Sequence, residues 1–299
     1  MSDPLALIRP YVQAITHSLP KVISGPVSEL ITAECYGRLV EDFDPLGSPL
    51  CVQLAVSKAV GVGIIAASTV VKVPQMLKLV AAGSAEGVSF LSYLMETTAY
   101  LITLAYSFRS GFPFSTYGET VCIVVQNIII SVLVLHFAAA SSSSSSRSSS
   151  SSSSAAAPLW PAAVFVAAVA AAAYALFTEA VVSTSLLRNF QLFVTIPLGL
   201  LSKIPQIIAV HKQKSTGQLS AFAVFNYLAG SLARVGTTLA EVNDPLILAS
   251  FLGGTVLNLV LAGQMVAFWN NNDKSKNNNN NNNNTSAAGG KASKGKKRA

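Results

Sequence analysis

The stretch Lys72-Val73-Pro74-Gln75 returns as Lys203-Ile204-Pro205-Gln206, 131 residues further on. At the same offset Ser84 falls on Ser215, Ser89 on Ser220 and Asn127 on Asn258, without a gap. Lys-x-Pro-Gln, two serines and an asparagine do not coincide at one shift by chance, so the chain contains an internal repeat. The residues around each motif are apolar. A helix needs about 20 mostly apolar residues to cross a bilayer. Seven stretches qualify as predicted spans: 51–73, 88–108, 118–137, 158–177, 185–210, 220–240 and 245–269. Each repeat is then three helices, with the fourth span as a linker between them, a 3-1-3 all-α polytopic membrane protein. One linker helix gives both units the same polarity in the membrane, a parallel repeat.

Composition agrees. The chain has 299 residues, 51% of them apolar and 11% charged, and its mean hydropathy is +0.51. Soluble domains carry about 25% charged residues, which argues against a soluble enzyme. The net charge of +7 is concentrated at one end, with seven of the twenty Lys and Arg in the last 26 residues. No basic stripe with interleaved aromatics is present, which argues against nucleic-acid binding. Three isolated histidines (His17, His136, His211) and three cysteines offer none of the common metal-ligand spacings. No metal or cofactor is expected. Pro10, His17 and Pro20 interrupt the only stretch that resembles a cleavable signal.

The expected organisation is a lumenal segment 1–50 with a short amphipathic helix or two, repeat one over 51–137, a serine-rich cytosolic linker over 138–157, a linker span 158–178, repeat two over 183–269, and a polar tail 270–299. The linker holds thirteen serines broken by Arg147, and the tail holds eight consecutive asparagines, Asn277 to Asn284. Neither composition supports a packed core.

Loops on the C-terminal side of the membrane carry Lys78, Arg147, Lys212, Lys214 and the tail cations. The opposite side carries most of the acids, including Glu179, Glu241 and Asp244. Positive charge stays in the cytosol, so the C-terminus is expected there and the N-terminus in a lumen. The final Lys296-Lys297-Arg298-Ala299 fits the K-K-x-x pattern of a dilysine retrieval signal for the endoplasmic reticulum, which is read on cytosolic tails. A generic basic tail is the plainer reading. The Asn283 sequon is expected to stay unmodified there. Cys35 and Cys51 face the oxidising side and are either bonded to each other or free. Cys122 lies inside a span and reads as packing.

A proline within a helix removes one backbone bond and leaves the carbonyl four residues earlier without its donor. Those carbonyls belong to Val70 and Leu201, and in hydrocarbon an unpaired one costs several kcal/mol. Gln75 and Gln206 are placed to donate to such carbonyls or to bond a facing helix. Pro74-Gln75 and Pro205-Gln206 therefore read as hinges that can gate the cytosolic side, or as static kinks. Lys72 and Lys203 either snorkel to the surface or hold an anionic headgroup. Asn127 and Asn258 suit interhelical bonding or a ligand. Lys58 lies near the end of its span. Glu96 and Arg234 are ionisable groups inside spans and functional candidates by default. Counted from the cytosolic ends of their helices, their depths differ by roughly 9 Å, so separate roles are expected: Arg234 on an anionic or hydroxyl-rich ligand, Glu96 on a sugar, a proton or a neighbouring helix. The alternative is that both are structural.

Two Pro-Gln helices in two three-helix units resemble the PQ-loop family, the fold group of cystinosin and the SWEET sugar transporters. The stretches VKVPQMLKLVAAGSAEGVSFLSYLMETTAY (71–100), FPFSTYGE (112–119), HKQKSTGQLSAFAVF (211–225) and GSLARVGTTLAEVNDPL (230–246) are similar to the mannose-P-dolichol utilization defect proteins. The resemblance runs from about Pro45 to Trp269, outside the serine run and the fourth span. It implies an endoplasmic-reticulum membrane protein required for the use of dolichol-phosphate-mannose and dolichol-phosphate-glucose by lumenal glycosyltransferases, which build N-glycan precursors and GPI anchors. Such a protein moves the lipid-linked sugar or presents it. Lys58, Lys72, Lys203 and Arg234 are expected to supply charge to it. Glu96, Gln75, Gln206, Asn127 and Asn258 are expected to supply hydrogen bonds. A PQ-loop carrier of small solutes such as sugars or amino acids is the second reading. A non-transporting chaperone or receptor for glycosyltransferases is the third. An enzyme is not expected, because the charges within the spans are solitary.

Overall fold

A computed structural model describes residues 5, 7–85, 88–145, 159–214, 221–242 and 244–268. Several expectations lie outside them: the dilysine pair Lys296 and Lys297, the tail, the sequon, Arg147 with the rest of the serine run from 146 onward, and the motif residues 86–87 and 216–220. The described chain is helical. Its elements are α1 (Arg9–Thr16), α2 (Lys21–Ile31), α3 (Ala33–Tyr36), α4 (Pro49–Ser68), α5 (Val73–Ala82), α6 (Phe90–Arg109), α7 (Phe114–Ser145), α8 (Trp160–Phe177), α9 (Thr184–Phe190), α10 (Ile196–Leu201), α11 (Ile204–Gln213), α12 (Ala221–Glu241) and α13 (Pro245–Ala267). A π-helical turn follows α3 at Gly37–Glu41, and another joins α9 to α10 at Gln191–Thr195.

Among the described residues five stretches are long and apolar enough to cross a membrane: Pro49–Ala82, Phe114–Ala140, Trp160–Phe177, Thr184–Lys212 and Pro245–Ala267. The second and sixth expected spans, α6 and α12, do not reach that apolarity. Their 20 and 21 residues give about 30 Å of helix, enough to span. Their composition is what differs. α6 carries Glu96 and buries Thr97 and Ser107, and α12 buries Arg234, Thr237 and Thr238. Polar side chains turned inward lower a helix's mean apolarity.

The chain divides into two compact units, residues 1–196 with 236–248, and residues 197–235 with the chain from 249 onward. The first unit contains repeat one, the N-terminal helices, α8, α9 and the turn between α12 and α13. Its centre is Leu79, Ile130 and Val134, packed by Met76, Phe90, Tyr93 and Phe137. α4 and α7 cross closely: a Cβ on Gly61 would stand 2.8 Å from the Ser115 carbonyl, so only glycine fits there. α8 lies on α6 through Phe90–Phe165 and Phe108–Phe177 ring contacts. Arg109 ties down the chain after α8, donating to the Leu176 and Val182 carbonyls and to Thr184 Oγ1. The second unit packs Val224 of α12 with Leu261, Ala262 and Met265 of α13, and Ile207 of α11 lies against them.

Two local expectations change, and of the two alternatives for Cys35 and Cys51 the bonded one is found. The Pro-Gln prolines do not sit inside helices. α4 ends at Ser68 and α5 starts at Val73, so Pro74 lies in a first turn, where a missing N–H costs nothing. Pro205 holds the same position in α11. The Val70 carbonyl accepts from Val73 N at 3.2 Å and is not orphaned. α7 continues past residue 137 and through the first serines to Ser145. The N-terminal segment holds three helices and is tied down: Cys35 and Cys51 form a disulfide with Cα atoms 5.1 Å apart. Ile31 and Tyr36 are buried against that bond. Cys122 is a free thiol.

Candidate functional site

In repeat one the break between α4 and α5 leaves the Ser68 carbonyl and the Lys72 N–H without their mutual helical bond. Gln126 of α7, a buried residue, inserts there. Its Nε2 donates to Ser68 O at 2.7 Å and its Oε1 accepts from Lys72 N at 2.8 Å. One side-chain amide thus stands in for one peptide bond pair. Of the two roles open to Gln75, the repair is made by Gln126 of α7, and the bond to a facing helix is the one Gln75 makes. Gln75 accepts from Tyr93 OH at 2.6 Å, joining α5 to α6.

The Lys72 side chain turns inward from that break. Its Nζ lies 2.8 Å from both carboxylate oxygens of Glu96 and donates to Asn127 Oδ1 at 2.6 Å. It also stands 4.9 Å from the Tyr93 ring centroid, a cation–π distance. Three expected site residues on three helices, Lys72, Glu96 and Asn127, therefore form one cluster. Glu96 takes the role of interhelical partner. Lys72 does not snorkel. Asn127 is fully buried, and its Nδ2 has no hydrogen-bond partner among the described residues.

The equivalent cluster in the second unit has the same lysine and asparagine with different company. Lys203 Nζ donates to Asn258 Oδ1 and lies 5.5 Å from the Tyr227 ring. Asn258 Nδ2 donates at 3.0 Å to both Tyr227 O and Ser231 Oγ. Among the described residues no carboxylate pairs with Lys203. Gln206 is exposed and makes no side-chain hydrogen bond to them. Arg234 is buried, 4% exposed, in the middle of α12.

A third polar cluster went unseen in the sequence. Glu241, the last residue of α12, has a side chain only 1% exposed and sits 2.7 Å from Lys58 Nζ. Ser115 Oγ donates to it at 2.6 Å and Ser57 Oγ donates to its other oxygen. Lys58 also donates to Ser115 Oγ at 3.0 Å. Lys58, expected to meet a ligand, is spent on this pair. Nearby in the chain, Tyr106 OH donates to Asp244 Oδ2 at 2.6 Å, while Asp244 Oδ1 caps α13 by accepting from Leu246 N and Ile247 N. Glu241 and Asp244 bind the α12–α13 turn to repeat one. The one available signal was that a glutamate within an apolar helix pattern needs a cation, and Lys58 is one of few cations inside a span.

Several apolar helices and two lysine–asparagine clusters at equivalent Pro-Gln breaks define a multi-pass membrane protein built on a duplicated helical unit. In the comparison with known families, residues 56–116 and 189–247 each match the PQ loop repeat. The chain is also similar to solute carrier family 66 member 3 of Homo sapiens, with 36% identity over 66 residues. That alignment covers 22% of this chain and 33% of the human protein, so the chain spans about a third of that relative's length. No solved structure matches it.

Proposed function

We propose that this protein is a non-enzymatic carrier or presenter of dolichol-phosphate-linked mannose and glucose in the endoplasmic-reticulum membrane. It serves lumenal assembly of N-glycan precursors and GPI anchors, with the glycosyltransferases of that compartment as its partners. In this reading α6 and α12 cross the membrane, giving seven spans arranged 3-1-3. The N-terminus is lumenal and the C-terminus cytosolic. The Cys35–Cys51 bond then lies on the oxidising side.

The observation that carries the reading is the half-buried Lys203, placed beside an amide and an aromatic ring with no acidic partner among the described residues. A cation kept charged in such a place requires a counter-charge, and a lipid phosphodiester brings one negative charge. Similarity of the motif stretches to the mannose-P-dolichol utilization defect proteins supplies the identity of the lipid. A second reading is a small-solute carrier, and likeness to a human protein named a solute carrier favours it.

The test is the lipid-linked oligosaccharide profile of cells depleted of the protein, with donor synthesis assayed alongside. Precursors should stop short of the mannoses added in the lumen while dolichol-phosphate-mannose is still made. Re-expression should restore the profile, Lys203→Gln should not, and Lys203→Arg should restore it in part. An unchanged profile in depleted cells overturns the reading and turns attention to solute uptake in proteoliposomes.

A further inference from the structure

Helix α1 turns its polar side toward the protein and its apolar side away. Gln13 Nε2 donates to the Asp42 carbonyl at 3.3 Å, and His17 Nε2 lies 3.2 Å from the Glu41 carbonyl. These side chains are four residues apart and share a face. At 3.6 residues per turn, Tyr11 and Ile15 each stand about 160° around the helix from Gln13. Tyr11 is 74% exposed and Ile15 67%, with Ile8 beside them also exposed. A surface helix in water buries its apolar stripe; α1 presents it. Scattered exposed apolar residues need no explanation, but a contiguous stripe on the outer side of a docked helix does.

The position of the stripe says what covers it. Ile31 and Val27 of α2 pack against Cys51, Leu54 and Ala55 in the first turns of α4, and the Cys35–Cys51 bond holds that contact. α4 opens the apolar stretch Pro49–Ala82. The N-terminal helices are thus fastened at the level where a span leaves hydrocarbon. Leu46 and Leu50, at that level, are themselves exposed, as are Val22 and Ile23 at the start of α2. Between residues 7 and 28 the only Lys, Arg, Asp or Glu are Arg9 and Lys21. Tyrosine with its apolar ring and polar tip is enriched at bilayer interfaces.

We propose that α1 and the first turn of α2 form an interfacial anchor lying in the plane of the membrane. Leu7, Ile8, Tyr11, Ile15, Val22 and Ile23 enter the boundary between headgroups and acyl chains, so the partner is phospholipid. This stands independently of any cargo.

The test uses the full chain in phosphatidylcholine proteoliposomes, with Trp160→Phe and Trp269→Phe removing the native tryptophans. Tyr11→Trp is the reporter and Ile15→Trp a second one, should the first not fold. Glu34→Trp, at an exposed surface ion pair with Arg38, is the water-facing control. An intact Cys35–Cys51 bond on a non-reducing gel qualifies each variant. The reporter should emit at shorter wavelength than the control, lose most of its intensity to lipids brominated near the headgroups, and resist aqueous iodide. The control should do the reverse. Iodide quenching at the reporter overturns the proposal, because the face then meets water. Resistance to both quenchers also overturns it, because a second copy or another protein then covers the face.

Discussion

The two Pro-Gln breaks share a lysine and an asparagine 55 residues apart, and they differ in almost everything that touches that pair. At the 131-residue offset Glu96 aligns with Tyr227, so Lys72 has a carboxylate where Lys203 has a ring. Gln126 aligns with Leu257, so the amide that bridges the first break has an apolar counterpart in the second. The buried asparagines invert as well: Asn258 has both its oxygen and its nitrogen engaged, while the Asn127 nitrogen has no partner among the described residues. Duplication preserved the backbone break and let the charge diverge. In the first copy the lysine is paired and the break braced, and in the second no carboxylate pairs with the lysine among the described residues.

The largest expected effect concerns the pair that has no counterpart, since Lys58 aligns with Asn189. Glu241→Ala strands the Lys58 ammonium beside two serines, and breaking a buried pair from one side costs about 3–5 kcal/mol. Thermal unfolding in detergent checks it. A midpoint unchanged from wild type would show that the clamp on the α12–α13 turn carries no weight. Next comes Gln126→Leu, which makes repeat one resemble repeat two. It removes the acceptor of Lys72 N and the shorter of the two hydrogen bonds to Ser68 O, with a loss of about 2 kcal/mol in the same assay. The reverse exchange, Tyr227→Glu, gives Lys203 the carboxylate that Lys72 already has. It should cut donor use in the oligosaccharide assay about tenfold, or about 1.4 kcal/mol, with little change in unfolding temperature. Full activity in that variant would mean that the charge difference between the copies has no functional consequence. The smallest effect is at the helix ends. Gly83 closes α5 at φ +58°, and its counterpart Lys214 closes α11 at φ 46°. A side chain there costs roughly 1 kcal/mol, so Lys214→Gly should raise stability by about that amount.

Much of this contrast was within reach of the sequence. One offset aligned both lysines and both asparagines, and the structure joins each lysine to the asparagine of its own copy. What was missed has physical causes. Glu96 was weighed against Arg234 by depth along two helices, although the flexible stem of Lys72 reaches it from a third. Gln126 stands next to Asn127, and periodicity alone does not show which neighbour faces a break. Glu241 counted as a loop acid because it ends its helix, yet the helix end is itself buried. The prolines were placed inside continuous helices, where they do damage, because nothing in an apolar run marks the turn at residues 69–72. Apolarity alone marks five spans among the described residues: α6 and α12 have the length to cross, and their inward polar side chains keep them below the threshold the other five meet.

The Gln126 bridge also has a mechanical side. Along an uninterrupted helix each peptide bond pair shares its load with the turns above and below, so the rod stiffens as a whole. At the first break the α-helical bonds give way to a few three-residue turns, and α4 and α5 meet there as two rods at an elbow. The strut across this elbow is owned by neither rod; it belongs to α7. A displacement of α7 along its axis therefore pulls directly on the angle between the other two, without unwinding a single turn of any of them.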